Sequence, residues 1–156
     1  MVERILVPTD GSDVSAIAEE AAIAFARAHG SEIVALAVAQ PQAPFVAAEA
    51  AMAVDPGIDA DALLAGAERQ AARLAAAATA AGVRCTQVAL IDHVPSQAIV
   101  ATAGRHRCDL IFMASHGRRG LSRLLAGSVT QKVLADANVP VMVFKPSAPA
   151  GAAPEA

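Results

Sequence analysis

Tryptophan and tyrosine are absent from this chain, and four phenylalanines supply its whole aromatic content of 3%. Such a chain has no platform on which single-stranded nucleic acid could stack its bases. Strong charge of one sign is missing as well: twelve Lys and Arg stand against fifteen Asp and Glu, a net charge of −3. That balance argues against a general polyanion binder, so no nucleic-acid partner is expected. Apolar runs fall short of the ~20 residues that a membrane span needs, so no membrane is expected either. Met1-Val2-Glu3-Arg4-Ile5 opens like a strand and not like a signal peptide. Cysteine is scarce. Cys85 and Cys108 fall in two separate predicted strand regions and read as free core thiols, not as a disulfide or a metal pair. The expected location is cytoplasmic.

Catalytic signatures are lacking too. The chain has no Gly-x4-Gly-Lys-Ser/Thr loop, and no Gly-x-Gly-x2-Gly follows a strand. A Gly-x-Ser-x-Gly nucleophile elbow is missing. His29, His93 and His106 show no metal spacing. No enzyme is expected.

What is present is a 156-residue chain that is 55% hydrophobic, much of it alanine. This length and composition suit one domain with close-packed helices. Arg4 to Pro8 is an apolar strand ended by the turn Thr9-Asp10-Gly11-Ser12. Asp13 to His29 is a helix, with Ile17, Ala21, Ala24, Phe25 and Ala28 at helical spacing. Ser12 or Asp13 caps it and Gly30 stops it. Glu32 to Ala39 is an apolar strand of the kind buried on both faces of a parallel sheet. Pro41 to Asp59 reads as a lid, binding loop or disordered link, with a short helix in its alanine-rich middle. The remaining elements are a helix over Asp61–Ala81, a strand over Val83–Ile91, a helix from Pro95 to Arg105, a strand over Asp109–Ala114, a helix over Ser128–Ala137 and a strand over Val139–Lys145. A Pro/Ala/Gly-rich tail, expected to be disordered, follows. Alternating strands and helices give right-handed crossovers and a parallel α/β sheet covered on both faces. Ligands of such sheets bind outside the carboxyl ends of the strands, at the switch in strand order.

The stretch from Phe112 to Thr130 carries the chemistry. An apolar strand gives way to Ser115-His116-Gly117, a basic loop with Gly120, Arg118, Arg119 and Arg123, and then Gly127-Ser128 at a helix start. Glycine lets backbone N–H groups approach a phosphate, and a helix N-terminus adds free donors and positive dipole. This is an anion cradle. Two readings stand beside each other for its parts. Gly117 and Gly120 make either a phosphate loop or a plain turn, and Ser128 either touches phosphate or simply caps its helix. Asp10 is either a ligand residue or a turn residue that bonds its own backbone.

Together these segments resemble the universal stress proteins of the single-domain UspA type, over about residues 2–146. The family's nucleotide signature is Gly-x2-Gly-x9-Gly-Ser/Thr. Gly117, nine residues and Gly127-Ser128 match it, and Ala114 stands where the pattern has its first glycine. The opening Ile-Leu-Val-Pro-Thr-Asp-Gly-Ser and the closing Val-Pro-Val-Met-Val-Phe match as well. The resemblance implies a three-layer, doubly wound, five-stranded parallel sheet of order 3-2-1-4-5, of the adenine nucleotide alpha hydrolase-like class. It implies a domain over 1–146, a tail over 147–156 and a homodimer through strand 139–144. It further implies ATP, with Mg2+ as an accompanying ion, held as a regulatory ligand in stress response. The implied site draws on the first turn at Pro8, Thr9 and Asp10, on Val38 and on the glycine loop, Gly120 included. Asp10 and Val38 would lie by the adenine. Met113, Gly117 and the main chain beside Ala114 would line the ribose, and Gly127, Ser128, Val129 and Thr130 would hold phosphates. At Ala114, a positive φ would make the methyl cost about 1 kcal/mol, whereas an extended backbone would tolerate it.

Two rivals come from other classes. A dimeric stress-response interaction module without nucleotide has Ala114 in its favour. A phosphoacceptor receiver domain would use Asp10, Asp92, Ser115 and Lys145, but lacks the acidic pair expected after the first strand.

Overall fold

The computed structural model describes residues 1–41, 56–115 and 127–145. Expectations for the short helix and lid between 42 and 55, for His116, Gly117, Gly120 and the loop arginines, and for the tail lie outside the described residues.

Five parallel strands form one sheet in the order β3-β2-β1-β4-β5. They are β1 (Arg4–Thr9), β2 (Glu32–Ala39), β3 (Cys85–Ile91), β4 (Leu110–Ala114) and β5 (Val141–Phe144), alternating with α1 (Asp13–His29), α2 (Pro56–Ala80), α3 (Pro95–Arg105) and α4 (Ser128–Asp136). The pleat sends successive side chains to opposite faces. Ile5, Val7, Ile33, Ala35, Leu110 and Phe112 therefore meet Ala22, Ile23 and Ala26 of α1 and Leu74 and Ala78 of α2. Leu6, Val34, Leu36, Ile111 and Met113 meet Ile99 and Ala103 of α3 and Val133 of α4 on the other face. Ile5, Leu6, Ile33, Leu36, Leu74 and Ile111 are fully buried, each such side chain contributing roughly 1.5–3 kcal/mol. Alanine has its own use here. Ala67 and Ala71 of α2 pack on Ala37 of β2, with Ala39 and Ala89 beside them, so helix and sheet approach closely.

Several details depart from the sequence reading: β3 starts at Cys85 and not Val83, and β5 spans Val141–Phe144 and not Val139–Lys145. On α1 the buried face runs through Ser15, Ala18, Glu19, Ala22, Ile23 and Ala26. Ile17 is exposed, and Ala24 and Ala28 are exposed with it. The apolar residues of α1 outnumber what one face can hold, so periodicity alone favoured a neighbouring stripe. The helix α2 begins at Pro56, not Asp61, because proline is well suited to a first helical turn. Cys108 is buried, but it precedes β4 and is not part of a strand. Burial pushes its thiol up to about 11, which keeps it protonated and unreactive at neutral pH.

The amino-terminal end of the sheet is tied by charge. The Asp109 carboxylate accepts the backbone N–H groups of Glu3 and Arg4 at 2.8 and 2.9 Å. Those two bonds hold its pKa below the usual carboxylate value. Arg4 in turn pairs with Glu32 and donates to the His106 carbonyl at 2.8 Å. This end is cross-linked, and the opposite end is where the strands part.

Candidate functional site

Chain order reverses between β1 and β4, since β1 leads through α1 to β2 on one side while α3 carries the chain back to β4 on the other. The β1–β2 ladder runs from Arg4↔Glu32 to Thr9↔Ala37. The β1–β4 ladder holds only Ile5↔Leu110 and Leu6↔Ile111. The two central strands thus separate toward their carboxyl ends and leave the crevice in which sheets of this kind bind ligands.

One wall is the turn after β1. Gly11 has φ +74°, a left-handed conformation that glycine adopts without steric cost. Asp10 Oδ1 accepts the Ser12 N–H at 3.0 Å, so the turn role weighed for Asp10 is present. Ser12 Oγ then accepts the Ser15 N–H at 3.2 Å and caps α1. Thr9 is buried, and its hydroxyl accepts the Gly11 N–H at 3.2 Å. That hydroxyl also donates to Glu19, so it supports the turn from below.

The other wall joins β4 to α4. Ala114 is the last residue of β4 and half-buried, and the positive-φ residues other than glycine among the described residues reduce to Arg107. Its backbone is thus extended and bears its methyl without strain. The Ser115 carbonyl accepts the Gly127 N–H at 2.7 Å. Thr130 is buried, and its hydroxyl donates to the carbonyls of Ala114 at 3.1 Å and Ser115 at 3.3 Å. The start of α4 is therefore bolted directly to the end of β4. Gly127 is the N-cap, and no side chain caps the helix; Ser128 does not fill that role. The first intrahelical bond runs from the Gln131 N–H to the Gly127 carbonyl at 3.0 Å. Ahead of it, the N–H groups of Ser128, Val129 and Thr130 stand outside the helical ladder, with the positive end of the helix dipole behind them.

The apolar candidates gather on the α3/α4 side. Met113 is buried in that cluster, and Val38 and Val129 pack against it. Pro8 is half-buried one residue before Thr9. The structure thus brings the β1 turn, the end of β2 and the α4 start to one edge. Glu19 and Arg73, which sequence reasoning passed over as ordinary helix residues, meet beneath the turn. Only the β1–α1 crossover and α2 packing bring them together, and no local motif announces that. Among the described residues no three His, Cys, Asp or Glu side chains converge to hold a metal.

The model of the universal stress protein family matches residues 1–145. This chain belongs to that family. Universal stress protein MJ0531 of Methanocaldococcus jannaschii is 32% identical over 145 residues, covering 93% of this chain and 83% of that protein. A Thermus aquaticus universal stress protein is 30% identical over 145 residues, covering 93% of this chain and all of the relative. Among solved structures, MJ0577 superposes with a TM-score of 0.78 at 27% identity, covering 95% of this chain and 99% of that one. More distant universal stress proteins share the fold, one in complex with cAMP (TM-score 0.63, 22% identity) and one from Archaeoglobus fulgidus in complex with dAMP (TM-score 0.62, 17% identity), each covering 92% of this chain and 97% of its own. Membership accounts for the observed strand order and for helices on both faces. No helix among the described residues is long and apolar enough to cross a membrane.

Proposed function

We propose that this universal stress protein binds ATP as a regulatory ligand at the carboxyl edge of β1 and β4, and works as a cytoplasmic homodimer in stress response. The observation that carries the reading is the uncapped start of α4. A Ser, Thr, Asp or Asn at the N-cap would fill the orphan donors with its own oxygen. Gly127 leaves the Ser128, Val129 and Thr130 N–H groups for an outside acceptor, and phosphate oxygens suit that place. In this reading Val38 and Met113 supply the apolar side for the base and ribose, with Asp10 by the base and Gly117 and Gly120 as ligand residues. Universal stress proteins complexed with cAMP and dAMP support an adenine nucleotide in this fold. Hydrolysis is expected to be slow, since Asp10 is engaged in its turn and Glu19 is buried and neither is placed as a general base.

The reading is tested at Gly127. Its φ of −58° and ψ of 158° suit a β-branched residue, so Gly127→Val should fold normally while placing a branched side chain against the phosphates. Calorimetric titration should show ATP affinity lowered at least about 10-fold, ~1.4 kcal/mol. Unchanged affinity would remove the phosphates from this helix start. The second reading, an interaction module without nucleotide, is favoured by one observation, the methyl of Ala114 in place of the signature glycine. It expects no binding of ATP or ADP at millimolar concentration.

A further inference from the structure

Glu19 is a carboxylic acid on the sheet-facing side of α1 and is only 6% exposed. Its Oε1 accepts from the hydroxyls of Thr9 and of Ser15, the latter at 2.9 Å. Arg73 Nη2 of α2 lies 3.2 Å from both carboxylate oxygens. Stability does not account for such a residue. Burying a carboxylate costs free energy, and the Arg73 side chain is half exposed, so the pair repays little of it.

What the carboxylate does accomplish is to fix a direction. The Thr9 hydroxyl donates downward to Glu19, which turns its lone pairs toward the Gly11 N–H, 3.2 Å away, while the Ser15 hydroxyl, whose one proton goes to Glu19, lies 3.2 Å to its side. Gly11 sits between the Asp10 turn and the Ser12 cap, so the whole β1–α1 turn is rooted at Glu19. The helix α2 holds the same turn a second time. A Cβ built on Gly11 would meet Gln70 at 3.3 Å, and Gln70 stands one helical turn before Arg73, on the same side of α2.

We infer that Glu19 is a positioning residue for the ligand-binding edge of β1, holding the Thr9–Ser12 turn in place through the Thr9 hydroxyl and docking it on α2 through Arg73. Its effect on affinity rests on the nucleotide reading above; its effect on the turn does not. Glu19→Gln keeps an acceptor for both hydroxyls but gives up the charge and one of the two oxygens that accept from Arg73, whereas Glu19→Leu keeps the volume and loses every acceptor.

The test pairs amide hydrogen exchange in the ligand-free protein with ATP titration and denaturant unfolding. Glu19→Leu should speed exchange at Gly11 and Ser12 at least about 10-fold relative to Ile23, and weaken ATP binding at least about 5-fold, in excess of any change that denaturant unfolding shows for the whole domain. Glu19→Gln should stay within about 2-fold of wild type in both. A merely structural carboxylate would instead move stability and leave the Gly11 and Ser12 amides in step with the rest of α1, and that result overturns the inference. Wild-type protein that binds no ATP overturns the nucleotide reading, and the exchange rates then decide this inference alone. Should Glu19→Leu fail to fold, Glu19→Met fills the same space with a more adaptable chain and takes its place.

Discussion

At the scale of single residues, position 114 shows how a motif departure is weighed. The sequence identifies alanine where the family signature has glycine, and two backbone conformations give that change opposite consequences. The strand geometry of Ala114 selects one of them. In an extended backbone the methyl group is the favourable choice, so Ala114→Gly should lower unfolding stability by roughly 0.5–1 kcal/mol. Denaturant titration checks the sign, and a stabilised variant would mean that the native φ strains alanine. The same substitution should raise ATP affinity if the methyl crowds the ribose. Asp10 is a second lesson at this scale. Its sequence context, Thr-Asp-Gly-Ser, fits both a ligand residue and an Asx turn, and the bond to the Ser12 N–H is present. Glu19 was illegible for a different reason: its partners Thr9 and Arg73 lie 10 and 54 positions away, and no spacing rule joins them.

At the scale of elements, legibility followed the strength of the local signal. Strand β4 and, after Glu32, strand β2 stand out as apolar runs without charge and appear within a residue of their expected bounds. Helix α1 carries both stop signals, the Ser12 cap and the left-handed Gly30, so its ends were plain. Its buried face was not, because alanine occurs all round the helix and blurs the 3.6-residue period. The edge strand β5 supplies a prediction of its own. It is short, lies at the sheet's edge beside β4, and carries an exposed Met142. An apolar edge of this kind offers unpaired N–H and C=O groups to another chain. Pairing with a two-fold mate would cover them across an isologous interface. Pro140 stands just before the strand, and its carbonyl still serves the ladder by accepting the Ile111 N–H at 3.0 Å. The β4 ladder engages the backbone of Pro140, Met142 and Phe144, so Val143 faces the open edge; Val143→Pro removes that outward donor and should convert a dimer to a monomer at micromolar concentration by sedimentation. A wild-type protein that already sediments as a monomer would contradict strand-edge pairing.

At the scale of the whole molecule, the two ends of the sheet do different work. The amino-terminal end is closed by Asp109, Arg4 and Glu32, and the carboxyl end opens where β1 and β4 separate. Strand order came to the sequence reading through the family resemblance, because a local pattern fixes an alternation of elements but not which strands are neighbours. The site followed from that order: once β1 and β4 are adjacent, the Thr9–Ser12 turn and the Gly127–Thr130 helix start share one edge. Backbone amide NMR during an ATP titration tests this most directly. The amide signals of Ser128, Val129 and Thr130 should shift together and saturate along one binding curve, with the Gly11 and Ser12 amides following the same curve. The amides of Glu3, Arg4 and Asp109, at the far end of the sheet, should not move. Saturating ATP that leaves the α4 start unmoved, or shifts only the far end, would contradict a nucleotide site at the β1–β4 edge.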